Sequence, residues 1–218
     1  MRIRLVLFDL DGTLVDTAPD LAGAVNRMLA ARSRPPLALE VLRPLASHGA
    51  RGLIGRAFGQ KPGDAGFEDL RQEFFREYES ALCRESGLFP LMAETLEQLE
   101  SQGLRWGIVT NKIARFTEPL VEALGLAQRA ACVVSGDTTP HAKPHPAPLL
   151  HALLSADVEA GSAVYVGDDL RDVQAGRAAG VRTVAAAYGY LGDEEPIDRW
   201  GADHIIDQPS DLLKLVRA

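Results

Sequence analysis

The sequence predicts an α/β protein: a Rossmann-like core with a parallel sheet and helices on both faces, carrying a small helical cap inserted after the first strand. Three observations predict it. Short β-branched runs, each followed by a helical pattern, occupy the start and the second half of the chain, and such alternation builds parallel sheets. Several of these runs are continuously apolar, as strands covered on both faces are. Between them, residues 17 to about 90 carry helical periodicity and no strand pattern. With 218 residues the chain can hold one mid-sized domain with a large insertion. The expected division is a core of residues 1–16 and 91–218 and a helical cap of residues 17–90.

Taken in order, the first strand is expected in Ile3–Phe8, ending at Asp9. In the cap, Leu21, Val25, Met28 and Leu29 recur at i, i+4, i+7 and i+8, with Thr17 and Asp20 spaced as a capping box. Arg34-Pro35-Pro36 breaks that helix. Leu53, Ala57 and Phe58 suggest a second helix, and Leu70, Phe74, Phe75 and Tyr78 a third. In the second half, strands are expected in Trp106–Thr110, Ala131–Ser135, Ala163–Gly167 and Arg182–Ala186, with a weaker one in His204–Ile206. The intervening helices show as Met92, Leu96 and Leu99 closed by Gly103, as Leu120 and Leu124 closed by Gly125, and as Leu149, Leu150, Leu153 and Leu154.

Composition narrows the function. Hydrophobic residues make up 46% and charged residues 24%, which excludes a disordered chain. Thirty acidic against 23 basic residues give a net charge of −7, so no basic footprint for nucleic acid or an anionic membrane exists. A local basic pocket for a small anion stays compatible with that charge. Cys83 and Cys132 lie far apart without metal-ligand spacing and read as reduced thiols. No secretory h-region follows the N-terminus, and no apolar run approaches the ~20 residues of a membrane helix. A cytoplasmic protein, monomeric or homodimeric, is expected.

Four stretches carry chemistry, each at the carboxyl end of an expected strand or just before a helix. Asp9-Leu10-Asp11-Gly12-Thr13 follows the first strand; its two carboxylates repel and favour a cation, although an acidic helix-capping turn has the same composition. Thr110-Asn111-Lys112 offers a hydroxyl and an amide to an anionic oxygen, or equally a turn or N-cap. Lys143 sits between Ala142 and Pro144-His145-Pro146, where prolines stiffen the backbone around one ammonium; a solvated loop lysine is the bland alternative. Gly167-Asp168-Asp169-Leu170-Arg171-Asp172 places three carboxylates at a strand end, suited to Mg²⁺ or to a helix's first turn. Strand ends of open parallel sheets face one crevice. Together the four stretches supply a nucleophile, a divalent-cation site, positive charge and donors, the set that phosphoryl transfer needs.

In this order the four motifs resemble the haloacid dehalogenase (HAD) superfamily, specifically its phosphatases, over essentially the whole chain. Asp9-x-Asp11-Gly12-Thr13, Thr110-Asn111, Lys143-Pro144 and Gly167-Asp168-x-x-x-Asp172 match its motifs one to four. The stretch from Asp9 to Asp20 is similar to phosphoglycolate phosphatase-like enzymes. His48-Gly49-Ala50-Arg51, Trp106–Lys112, Gly167–Asp172, Tyr188-Gly189-Tyr190 and Trp200-Gly201-Ala202-Asp203 look still more like N-acetylmuramic acid 6-phosphate phosphatases. The resemblance implies a HAD core with a helical cap and a phosphomonoesterase acting on a small-molecule phosphate ester. It implies Asp9 as nucleophile and Asp11 as acid–base, with Mg²⁺ on Asp9, the Asp11 carbonyl and Asp168. Thr110, Asn111 and Lys143 would bind phosphate, and Asp169 and Asp172 would orient the metal's waters or Lys143. Ser47, His48 and Arg51 become candidates for substrate recognition, with Arg51 able to pair with a substrate carboxylate. Ser47-His48 departs from the small residues expected in that loop. 2-Phosphoglycolate is the alternative substrate, and a sugar-phosphate mutase the more distant alternative. A receiver domain is set aside because Asp9 follows the first strand and a long insertion intervenes.

Overall fold

The structure, a computed structural model, describes residues 2–192 and 195–216. The chain ends expected in the core, Met1 and residues 217–218, lie outside the described residues. The elements run β1 (Leu5–Phe8), β2 (Val15–Asp16), α1 (Ala18–Ala30), α2 (Leu39–Leu42), α3 (Gly49–Phe58), α4 (Phe67–Ser80), β3 (Gly87–Leu88), α5 (Met92–Ser101), β4 (Arg105–Val109), α6 (Ala114–Ala123), β5 (Val133–Val134), α7 (Ala147–Ala156), β6 (Ala163–Gly167), α8 (Leu170–Ala178), β7 (Arg182–Ala186), β8 (His204–Ile206) and α9 (Leu212–Val216).

Six strands form one sheet in the order β5-β4-β1-β6-β7-β8, every neighbouring pair parallel. β1 is central because both its faces are apolar: Leu5, Val6, Leu7 and Phe8 are all essentially inaccessible. Successive side chains point to opposite faces. Val6 and Phe8 therefore join α5, α6 and α9 through Leu96, Leu99, Phe116, Leu120 and Leu212. Leu5 and Leu7 join α7 and α8 through Leu149, Leu153 and Ala175 on the other face. Each such aliphatic side chain contributes about 1.5–3 kcal/mol by leaving water.

β6, β7 and β8 occupy the spans read from the sequence. The Ala131–Ser135 run pairs only over Val133 and Val134, at the sheet edge, where one neighbour is missing. The expectation of no strand between residues 17 and 90 is corrected at Gly87–Leu88. This pair meets Val15–Asp16 in a two-stranded antiparallel ribbon where the chain leaves and re-enters the sheet layer. The Thr17/Asp20 capping box is corrected too. Thr17 makes no side-chain cap bond; its hydroxyl donates to Asp11, and Asp20 accepts from the Glu85 and Ser86 amides. Helices α1, α3 and α4 pack on one another through Leu21, Val25, Leu53, Ile54, Phe74 and Tyr78 and share the apolar cluster of the sheet.

Candidate active site

β1, β4 and β6 are adjacent and parallel, so their carboxyl ends open side by side. Asp9 follows β1, Thr110 follows β4 and Asp168 follows β6. The segment leading into α7 brings Lys143 to the same place. Asp9, Asp11, Thr110, Asn111, Lys143, Asp169 and Asp172 line a cavity of about 300 Å³ roofed by residues 46–50 and by α4. Gly12 makes this convergence possible. At φ 90° it turns the chain beside Asp168, and a Cβ there would lie 2.2 Å from Asp168 Oδ2.

Lys143 is the hub. Its Nζ lies 2.7 Å from Asp172 Oδ1, 2.7 Å from the Tyr165 hydroxyl and 3.0 Å from the Val109 carbonyl oxygen. Asp9 Oδ1 is 2.8 Å away as an ion pair, although no donor is aligned to hydrogen-bond it. The lysine backbone is fixed by Asn111, whose side chain accepts from Lys143 N and donates to Lys143 O, both at 2.9 Å. Burial works against the ammonium, but the Asp172 and Asp9 charges hold the Lys143 pKa above its usual value.

Asp9, Asp168 and Asp172 bring carboxylate oxygens within 4.8 Å of one another, all three buried. Burial, outweighing Lys143 and reinforced by Asp172, pushes the Asp9 pKa up to about 7. Burial, then the charges of Asp9 and Asp172, raises Asp168 well above the carboxylate range. Asp172 is already engaged: Oδ1 accepts from Lys143 and Tyr165, and Oδ2 from the Asp169 amide. Asp168 Oδ1 accepts from the Thr13 hydroxyl at 2.7 Å, and Oδ2 from the Tyr190 amide at 2.8 Å and the Ser47 hydroxyl at 3.5 Å, so Oδ1 keeps a second lone-pair direction. Asp9 and Asp168 are therefore the carboxylates free to hold a cation. The donors are all hard oxygens, which suits a small divalent ion, and the orphaned Asp9 Oδ1 fits that reading. With all five of the site's aspartates ionised, Lys112, Lys143 and Arg171 leave two negative charges for a cation to offset.

The structure separates the two aspartates of the fourth motif. Asp172 holds Lys143, whereas Asp169 caps α8 and binds Arg171 through both oxygens at 2.7 Å. Although burial opposes it, Arg171 keeps the Asp169 pKa below the usual range. Arg171 also donates to the Ser47 carbonyl oxygen at 2.8 Å, tying α8 to the roof. Ser47 and His48 line the cavity, with Ser47 Oγ 3.5 Å from Asp168 Oδ2. The structure does not bring Arg51 to this cavity: one helical turn further on, it is exposed and faces a separate depression with Asp64, Phe67 and Arg71.

Three participants were missed by sequence reasoning. Lys112 Nζ pairs with Asp11 Oδ1 at 2.9 Å and stands 4.7 Å from the centre of the Tyr78 ring. Its place directly after Thr110-Asn111 was the available signal. Arg171 stood inside a motif already singled out. Tyr165 had no local signal, since its hydroxyl finds Lys143 only once β6 lies two strands from β4.

The family model described as haloacid dehalogenase-like hydrolase matches residues 6–186. The chain is 44% identical over 216 residues to N-acetylmuramic acid 6-phosphate phosphatase of Pseudomonas putida, covering 99% of this chain and 97% of that one. It is 46% identical over 210 residues to phosphoglycolate phosphatase of Xanthomonas campestris pv. campestris, covering 96% and 94%. Among solved structures, one described as a predicted phosphoglycolate phosphatase from Haemophilus somnus superposes with a TM-score of 0.86 at 30% identity, covering 100% of this chain and 99% of that one. The chain belongs to the haloacid dehalogenase-like hydrolase family, among its phosphatases.

Proposed function

We propose that the chain is a Mg²⁺-dependent phosphomonoester hydrolase working through an aspartyl phosphate on Asp9. The array of Asp9 after β1, Asp168 after β6, Asp172 in the first turn of α8 and Lys143 from the segment before α7 carries this reading. Asp9 attacks phosphorus, and the bond from phosphorus to the leaving oxygen breaks. Asp11 gives that oxygen its proton. Asp11 then takes a proton from the water that attacks the acyl phosphate, which releases inorganic phosphate and restores Asp9. Lys143 and Thr110, with the Asn111 amide, hold the phosphoryl oxygens. Asp172 and Asn111 fix Lys143, and Asp169 acts through Arg171 on the roof. Mg²⁺, held by Asp9, Asp168 and the Asp11 carbonyl, would supply positive charge to the phosphoryl oxygens and the buried carboxylates. The helical block of residues 17–90 serves as a cap that excludes water and reads the leaving group.

N-Acetylmuramic acid 6-phosphate is the substrate we infer, on the likeness to the P. putida enzyme over nearly the full length of both chains. 2-Phosphoglycolate is the second reading, favoured by the 46% identical Xanthomonas relative. Phosphate release from both esters, measured with Mg²⁺ and with excess chelator, tests the proposal. Wild type with Mg²⁺ should turn over and Asp9→Asn should not, because an amide cannot form the acyl phosphate. Near-normal turnover by Asp9→Asn, or full activity in chelator, overturns it.

A further inference from the structure

The phosphate end of the cavity accounts for its charges but not for its far wall. That wall is aromatic: Phe75 and Tyr78 of α4 pack against Phe116 of α6 with ring centroids 5.2 and 5.3 Å apart. Phe75 lines the cavity and is only partly covered, with the Arg71 guanidinium 5.2 Å from its ring centroid. The Tyr78 hydroxyl is buried with no well-aligned partner; the Lys112 ammonium beside it can only donate, so the hydroxyl proton is left without an acceptor. An unsatisfied buried hydroxyl is destabilising, and a bound acceptor relieves that. A two-carbon acid phosphate leaves most of a cavity of about 300 Å³ unfilled, whereas sites lined by apolar walls with few polar groups suit larger ligands.

We propose that Phe75, Phe116 and Tyr78 form a leaving-group subsite for an alcohol larger than glycolate: one with a C–H-rich ring face that packs on the aromatic rings and an acyl or carboxylate oxygen that accepts from the Tyr78 hydroxyl. The proposal rests on the hydrolase reading and deepens it by assigning the substrate class to residues of α4 and α6. It differs from the role first expected of Arg51, which the fold turns away from this cavity.

The test compares kcat/KM for N-acetylmuramic acid 6-phosphate and 2-phosphoglycolate in wild type, Tyr78→Phe and Phe75→Ala. Tyr78→Phe keeps the ring packing and removes only the hydroxyl, so it should lose about tenfold on the amino-sugar phosphate and change little on 2-phosphoglycolate. Phe75→Ala should raise KM for the amino-sugar phosphate with little change in kcat, as loss of uniform binding does, and again spare 2-phosphoglycolate. A merely structural role would lower both substrates together. Equal losses on both substrates, no loss on either, or a wild-type preference for 2-phosphoglycolate overturns the subsite. Absence of phosphate release by wild type from either ester overturns the hydrolase reading instead, so the two failures are told apart.

Discussion

Gly12 shows how one residue fixes the acidic cluster. Its φ of 90° is strained for any L side chain, and a Cβ would lie 2.2 Å from Asp168 Oδ2. Gly103, at the end of α5, has φ 72° with no atom within 4 Å of where a Cβ would lie. Gly103→Ala should therefore cost backbone strain alone, about 1 kcal/mol, while Gly12→Ala adds a steric displacement of Asp168 and should cost about 3 kcal/mol. Urea unfolding midpoints measure the difference, and equal shifts would remove the steric argument. Cys132 gives a pH-dependent outcome. Burial pushes its thiol up to about 11. The raised pKa means less thiolate at a given pH, so at pH 8 roughly one thiol in a thousand is ionised. Alkylation of the folded protein at Cys132 should be slow and should quicken about tenfold per pH unit until near pH 11. Peptide mass spectrometry reads it, and a rate independent of pH between 7 and 9 would contradict the burial argument.

At the scale of elements, the junction between the sheet and the helical block is built from two side chains. Tyr190 accepts from the Thr17 and Ala18 amides at 2.8 and 2.9 Å and donates to Asp16 at 2.8 Å. It thus caps α1 from a distant loop. Asp20, buried in α1, accepts from the Glu85 and Ser86 amides and the Ser86 hydroxyl, at 3.0, 2.9 and 2.6 Å, and clamps the returning chain beside β3. Asp20→Ala strands three part-buried donors, one of them on exposed Glu85, and should cost about 2 kcal/mol; Tyr190→Phe keeps the ring and strands the Thr17 amide alone, because Ala18 N also reaches Asp16 Oδ1 at 3.3 Å, and should cost about 1 kcal/mol. Denaturant unfolding of both variants checks the order. These bonds explain what the sequence could not reveal. The central strands were legible because apolar runs buried on both faces, such as Leu5–Phe8, carry their own signal. The β2–β3 ribbon was not, since two-residue strands have no periodicity, and the Thr17/Asp20 spacing misled because each side chain has a stronger partner far away in the chain.

For the whole molecule, the order of motifs along the chain was enough to gather Asp9, Thr110, Lys143, Asp168 and Asp172, because a parallel sheet sends every strand's carboxyl end to one side. The direction of a roof side chain was not legible. His48 lines the cavity and Arg51 turns outward, which follows from the orientation of α3 over the sheet rather than from residue type. The assembled site carries a thermodynamic consequence. Folding buries Asp9, Asp168 and Asp172 together, and the desolvation, with the mutual repulsion, that raises Asp9 and Asp168 opposes folding. A cation bound there relieves it and binds only the folded chain. Mg²⁺ at about a hundredfold over its dissociation constant should stabilise the fold by about 2.7 kcal/mol, which for a chain of this size raises Tm by about 5–10 °C. Asp168→Asn removes one charged ligand without touching the exposed surface and should abolish most of that rise, whereas Arg51→Ala, outside the cavity, should retain it. Thermal melts across a Mg²⁺ titration, with and without chelator, measure both. An equal rise in wild type and Asp168→Asn would show that Mg²⁺ acts elsewhere on this acidic chain rather than at the ends of β1 and β6.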